Sequence, residues 1–421
     1  QQLRITHIFE THLHNDYVSG ARELASATGA RVHSSARAES GFERVPVSES
    51  DVFRFGELVV RVLETPGHTP EHVSYTVADT SRSEQPLLML TGGDLLVGSV
   101  GRPDLLGEAL GRELAPKLFD SLQHKILTQR DYVTVLPTHG AGSSCGANIS
   151  RTRTSTIGYE RLTNPYLQTT DRDEFVKQVL AGQPAIPAYY QRMRPINQAG
   201  AAVLGRLPEP RAMGPDEIER TMAEGALLID AREPAAFGGA HVPGAYGIGL
   251  GANFSTWVGS VVPTGQPLLL VLENAAGLTN AVHQLIRIGY EDVRGYLAGG
   301  IDAWLAAGKR VQHLPQVSVF ELNEALSRNG SAPQVLDVRS GSDWQQGHIL
   351  KAKHVPGGDL PARIGELTPT QSTAVMCGSG YRSSVAGSIL QRHGFESVAN
   401  VIGGMTAWQQ AGLPTTSNET R

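Results

Sequence analysis

Four short stretches concentrate side chains that bind metals: Thr11-His12-Leu13-His14-Asn15-Asp16-Tyr17, Thr65-Pro66-Gly67-His68-Thr69-Pro70-Glu71-His72, Thr91-Gly92-Gly93-Asp94 and Pro137-Thr138-His139-Gly140. Imidazole and carboxylate donors of this kind suit iron or zinc. A fifth stretch, Cys377-Gly378-Ser379-Gly380-Tyr381-Arg382, offers thiol chemistry. A cysteine on a short loop that turns into a helix meets backbone N–H groups, which hold a thiolate, a persulfide or an oxyanion, and Arg382 adds a fixed positive charge. The other cysteine, Cys145, stands in the glycine-rich run after His139. It is either a thiol near a substrate or an inert buried side chain.

Each metal-binding stretch follows an apolar run of strand length: Ile5 to Phe9, Leu58 to Leu63, Leu87 to Leu90 and Val133 to Leu136. Side chains at strand ends converge on one sheet edge, which is how an α/β sandwich assembles a metal site. The second half carries an internal repeat. Leu227 to Ala245 parallels Val335 to Gly357, and the Gly-Gly pairs before Trp304 and Trp408 match as well. Within each copy, strand-length runs (Ala226 to Ile229, Leu268 to Leu272; Val335 to Leu336, Thr373 to Met376) alternate with helical periodicity (Asn280 to Ile288, Val385 to His393). That alternation predicts parallel sheets flanked by helices. Arg310 to Gln316 is expected to link the copies, and the proline-rich stretch near Leu204 to Pro215 to separate them from the first half.

The bulk composition sets outer limits. A chain of 421 residues is too long for one ordinary core, and two to four domains are expected. Net charge is -5, so no basic surface invites nucleic acid or an anionic membrane. No apolar run reaches the length of a membrane span. Two unrelated cysteines, rather than paired ones, point to a reducing compartment and a cytoplasmic protein. The chain opens on Gln1, so a leader or native sequence is expected to be missing.

The four His/Asp stretches, in this order and each after a strand, resemble the metallo-β-lactamase superfamily over about residues 1–206. With Gly101-Arg102-Pro103-Asp104, they are most similar to its persulfide dioxygenase branch, in forms fused to rhodanese domains. The resemblance implies an αββα sandwich. It also implies one Fe(II) per chain, with zinc as a possible substitute, bound by His12, His68 and Asp94, while His14, Asp16 and His139 surround these ligands and tune the metal. Two histidines and one carboxylate leave open positions for dioxygen and a persulfide sulfur. Arg102 is expected either to hold the carboxylate or phosphate of a thiol carrier or to pair with Asp104. Only about eleven residues precede His12, so N-terminal strands of the sandwich are expected to be missing, and an open sheet edge would favour association, including a homodimer. The alternative in the same superfamily is a dinuclear zinc thioester hydrolase of glyoxalase II type. It needs a histidine where this chain has Tyr17.

The repeated half resembles tandem rhodanese (thiosulfate sulfurtransferase) domains, over residues 213–310 and 318–418. The second copy carries Asp337-Val338-Arg339, Gly347-His348-Ile349, the Cys377 loop and Gly403 to Trp408. There Cys377 and Arg382 would be catalytic and Gly378, Ser379, Gly380 and Tyr381 would cradle the substrate. The first copy keeps Asp230-Ala231-Arg232, His241 and Trp304, but aligning the strands puts Glu273 at its cysteine position, so it is expected to be silent and structural. The combined expectation is oxidation of a low-molecular-weight persulfide, such as glutathione persulfide, to sulfite and thiol. Sulfane-sulfur transfer at Cys377 would then make or use thiosulfate. A third expectation, from another class, is a sulfur-relay protein whose metal domain is inactive.

Overall fold

The computed structural model describes residues 3–328 and 332–417. Positions 1, 2, 329–331 and 418, which belong to the expected domain spans, lie outside the described residues. The chain divides into two compact units, residues 1–206 and 207–421.

Unit one holds two main sheets. Strands β1 (His7–Phe9), β2 (Arg31–Ser35) and β3 (Val45–Val47) pair in parallel. The larger sheet is built from β4 (Val52–Phe55), β5 (Leu58–Glu64), β6 (Val73–Asp79), β7 (Leu88–Gly92), β10 (Thr134–Pro137) and β11 (Ser155–Thr156), in the order β11-β10-β7-β6-β5-β4. Between β7 and β10 the chain makes a small hairpin of β8 (Leu95–Leu96) and β9 (Ser99–Val100). The valine-rich β5 and β6 pair along their full length, because β-branched side chains fit a pleated, half-buried surface. Val47, Val60, Val62, Val73 and Tyr75 form one core cluster, with Phe9 and Phe53 packed on it. A second cluster joins Met89, Val133 and Val135 to Leu118 and Leu122 from the helical segment that starts with helix Glu108–Ser121. Each such side chain contributes about 1.5–3 kcal/mol relative to exposure.

The four strands expected from apolar runs are present as β1, β5, β7 and β10. Since β5 and β7 both run antiparallel to β6, and β7 runs parallel to β10, their C-terminal ends fall on one side of the sheet. Three of the four metal-binding stretches leave from these strand ends, and the first leaves from the end of β1 in the other sheet.

Unit two contains two five-stranded, wholly parallel sheets with the same connectivity. The first has β12 (Arg211–Met213), β13 (Leu227–Asp230), β14 (Tyr246–Gly247), β15 (Leu268–Val271) and β16 (Val293–Leu297), in the order β12-β16-β15-β13-β14. The second has β17 (Gln316–Val317), β18 (Gln334–Asp337), β19 (Lys353–His354), β20 (Thr373–Met376) and β21 (Val398–Val401), in the order β17-β21-β20-β18-β19. Both copies bury an aspartate–arginine fork at the end of a central strand: Arg232 on Asp230 at 2.6 Å and Arg339 on Asp337 at 2.7 Å. Each arginine also caps a carbonyl, that of Ala240 or Gly347.

Two expected connectors carry regular structure. Arg211–Met213 is an edge strand, and in the link between the copies Gln312 bridges His241, Leu314 is fully buried and β17 begins at Gln316. Apolar and ladder-forming residues tie these stretches down despite their prolines. Among the described residues, no helix is long and apolar enough to cross a membrane.

Candidate metal centre and cysteine loop

The imidazoles come together. Ligand atoms of His12, His68 and His139 lie within 4.8 Å of one another, and so do those of His14, Asp16 and His139. All four of these histidines are buried, and Nε2 of His12, His68 and His139 has no hydrogen-bond partner. Their orientation follows from the other ring nitrogen. His68 Nδ1 lies 2.9 Å from the Arg102 carbonyl, which can only accept, so the proton sits on Nδ1 and the Nε2 lone pair is free. His139 Nδ1 faces Asp16 Oδ2 at 3.3 Å, a carboxylate–imidazole pair of the kind that orients metal ligands. His12 Nδ1 meets the Thr11 hydroxyl at 2.9 Å.

Asp94 joins neither set of three. It is fully buried; Oδ1 accepts from the His68 backbone N–H at 3.0 Å, and Oδ2, 3.3 Å from His72 Nδ1, makes no hydrogen bond. His72, to which the spacing assigned no role, has both nitrogens engaged: Nε2 accepts from the Gly93 N–H at 2.9 Å and Nδ1 meets the Thr65 hydroxyl at 2.8 Å. It forms a wall of the site. Gly92 permits that approach, since at φ 57° a Cβ there would stand 2.2 Å from His72 Nε2.

Electrostatics suit a cation. Burial, and next the positive charges the rings would place beside one another, hold His12, His14 and His72 well below the ordinary histidine range, and His68 at about 3. Burial pushes Asp94 well above the carboxylate range. Neutral imidazoles with unshared lone pairs and a buried, unpaired carboxylate oxygen are the donor set of a divalent metal site, so these residues fit one.

Tyr17 changes the second cluster. Its hydroxyl lies 2.9 Å from His14 Nε2 and its ring stacks on the imidazole, leaving His14 only Nδ1 for a metal. Arg102 is 3% exposed, and its guanidinium forks Asp104 at 2.7 Å through Nε and Nη2, while Nη1 serves the carbonyls of Ser144 and Pro184. Of the two expected roles, the ion pair is the one displayed; Arg102 meets the centre through its backbone carbonyl. Cys145 is a buried free thiol, 3.9 Å from the Tyr190 hydroxyl, with its pKa pushed well up by burial. A cavity of about 320 Å³ opens beside His14 and Tyr17, whereas a larger one, about 640 Å³, is lined by Thr134, Ser155 and Glu160 and by none of the clustered histidines.

In unit two, Cys377 follows β20 and precedes helix Tyr381–Arg392. Its Sγ accepts from the Gly380 N–H at 3.1 Å and the Ser383 hydroxyl at 3.2 Å. Met405 N–H and Thr406 N–H hold the carbonyls of Cys377 and Gly378. Gly404 allows this contact, because at φ 54° an added Cβ would lie 2.2 Å from the Cys377 carbonyl oxygen. Arg382 leans on Asp343 Oδ2 at 3.3 Å, and Ser379 is exposed at the loop tip. Tyr381 donates its hydroxyl to the Gly249 carbonyl of the first copy. Cys377 itself is 1% exposed.

The pairing corrects one alignment. Asp230 pairs with Val271 as Asp337 pairs with Met376, so the cysteine position of the first copy is Leu272 and Glu273 matches Gly378. Hydrogen-bond register, which the letters do not show, moves the match by one residue. A leucine forms no persulfide, so the first copy still lacks a nucleophile there.

Known proteins resemble both halves. Residues 1–81 match the model of the metallo-beta-lactamase superfamily, and residues 214–307 and 319–411 match that of the rhodanese-like domain. A hydroxyacylglutathione hydrolase of Methylobacterium sp. (strain 4-46) is 30% identical over 185 residues, covering 40% of this chain and 70% of that protein. A metallo-beta-lactamase structure from Staphylococcus aureus subsp. aureus COL superposes with a TM-score of 0.63 at 30% identity, over 70% of this chain and 86% of that one. The crystal structure of ETHE1 from Myxococcus xanthus is 29% identical, covering 49% of this chain and 80% of that one, with a TM-score of 0.40.

Proposed function

The chain belongs to the metallo-β-lactamase superfamily, with two tandem rhodanese-like domains behind its metal domain, and from this we propose that it oxidises a low-molecular-weight persulfide and moves sulfane sulfur through Cys377. One persulfide, one dioxygen and one water would give one thiol, one sulfite and two protons. Fe(II), held by His12, His68 and Asp94 with His139 close by, would supply the open coordination positions that dioxygen chemistry needs. The chain's own groups do the rest: the Arg102 carbonyl fixes the His68 tautomer, and Asp16 orients His139. At the second site, Gly380 N–H and Ser383 hold the sulfur of Cys377, and Arg382 offers charge to an incoming oxyanion such as sulfite or thiosulfate. Two sites on one chain raise the effective concentration of a shared intermediate.

The observation that carries this reading is the Tyr17–His14 hydrogen bond. A tyrosine occupies the place of a second-metal histidine and takes one nitrogen of His14, which favours a single metal over a dinuclear hydrolytic pair. The hydrolase reading draws on the named function of the Methylobacterium relative and on the proximity of His14, Asp16 and His139. The deciding experiment measures oxygen uptake with glutathione persulfide on anaerobically iron-loaded protein, beside a His68→Ala control, with metal counted per chain. One iron and uptake that vanishes in the control are expected. Two zincs with thioester hydrolysis and no uptake would establish the hydrolase.

A further inference from the structure

Three loops carry the clustered side chains, and one helix remote in sequence touches all three. Helix Tyr190–Ala199 sends Arg194 to Glu71, whose carboxylate it forks at 3.0 and 3.1 Å; the same carboxylate accepts the Leu13 N–H at 3.0 Å. Glu71 thereby joins the loop of His68 and His72 to the loop of His12 and His14. One turn further on, buried Asn197 donates to the carbonyls of His14 at 2.9 Å and Tyr17 at 2.8 Å, and accepts from the Ser19 N–H at 2.8 Å. At the start of the helix, the Tyr190 hydroxyl accepts from the Cys145 thiol at 3.9 Å, on the loop that follows His139.

Every one of these bonds ends on backbone or on a group beside a candidate ligand, and none on a ligating nitrogen. Asn197 uses both amide donors and its carbonyl on a loop 178 to 183 residues away. A loop so fixed cannot vary the separation of His12 from His14 and Asp16 without breaking buried hydrogen bonds, and unmade buried bonds are costly. We infer that Arg194 and Asn197 are positioning residues of the metal centre, setting the spacing of the donor atoms from outside the metal-binding stretches. This rests on the reading of His12, His68 and Asp94, with His139 close by, as a metal site.

The test uses the full chain and Co(II) alone as the probe. Asn197→Asp keeps size and the acceptor for Ser19 but turns a carboxylate toward two carbonyls. Arg194→Lys keeps the charge and loses the fork. Co(II) affinity, read by competition with a chromophoric chelator, is expected to weaken about 10- to 100-fold in both. The visible spectrum of the bound Co(II) should change with it. Arg172→Ala, which removes an exposed pair with Asp120 in the same domain, should change neither. A merely structural role would lower the metal-free melting temperature while the folded protein kept wild-type affinity and spectrum, and that result overturns the inference. Wild-type protein that binds no Co(II) in a His12-dependent way would overturn the metal-site reading, and this inference with it.

Discussion

The Tyr381 hydroxyl donates to the Gly249 carbonyl at 2.9 Å, so the first residue of the helix behind Cys377 is pinned by the rhodanese-like domain that has no cysteine. On the same helix, Arg392 lies over the Tyr246 ring, 3.9 Å from its centroid, and bonds the Gly244 carbonyl. Tyr381→Phe should therefore lower the stability of unit two by about 1 kcal/mol. The loop should also open more often, so alkylation of Cys377 in the native protein is expected to speed up. Unfolding midpoints and iodoacetamide kinetics check this, and an unchanged alkylation rate would deny the tether any role in access.

Arg102→Lys separates the two roles expected of that arginine. Lysine cannot span both Asp104 oxygens and two carbonyls, so the variant should lose about 1.5–3 kcal/mol, the worth of hydrogen bonds to a charged group. KM for a persulfide should hardly move. A normal melting temperature with a raised KM would instead mark Arg102 as a substrate anchor.

Gly404→Ala tests the cradle of Cys377. The new methyl would meet the Cys377 carbonyl, and the backbone is in the left-handed region, so a cost on the order of 1–3 kcal/mol is expected. Thiosulfate:cyanide sulfur transfer should fall more steeply than stability, because the displaced loop is the one that holds Sγ. Retained transfer in a folded variant would show that the carbonyl contact is dispensable.

Acid should destabilise the metal-free protein. The folded-state pKa values of His12, His14, His68 and His72 are depressed, so the unfolded chain binds protons first, near the ordinary value of 6.5. Their contribution is full above that value and is lost as pH falls toward about 3, the folded value of His68. Asp94, Asp16 and Glu10, raised by burial, act in the opposite sense, but they are three groups against four. The melting temperature of metal-free protein should drop between about pH 7 and about pH 5. A flat profile would contradict the burial of neutral rings.

Local order carried much of this into the sequence. The valine- and leucine-rich runs before Thr65 and Thr91 announce strands, and the site follows from what their ends release. Tyr17 was visible as a missing histidine, but its bond to His14 was not, because a tyrosine letter does not say where its hydroxyl points. Leu272 was misread as Glu273 because register is set by pairing with Asp230. Arg194 lies 123 residues from Glu71, and no spacing rule spans that distance. The Arg102 fork was legible as one of two options, and burial decided between them.

The duplicated frame makes the cysteine-free copy a ready host for a transplant. Its aspartate–arginine fork and parallel sheet stand without a nucleophile, so neither depends on sulfur chemistry to fold. Restoring the thiol alone by Leu272→Cys would still leave a poor catalyst: a short 3₁₀ turn, Ala275–Gly277, precedes its helix, and Gly277 stands where the other copy has Arg382. What the second copy adds to the shared frame is the loop Cys377–Arg382 and, behind it, Ser383, where the first copy has Leu278.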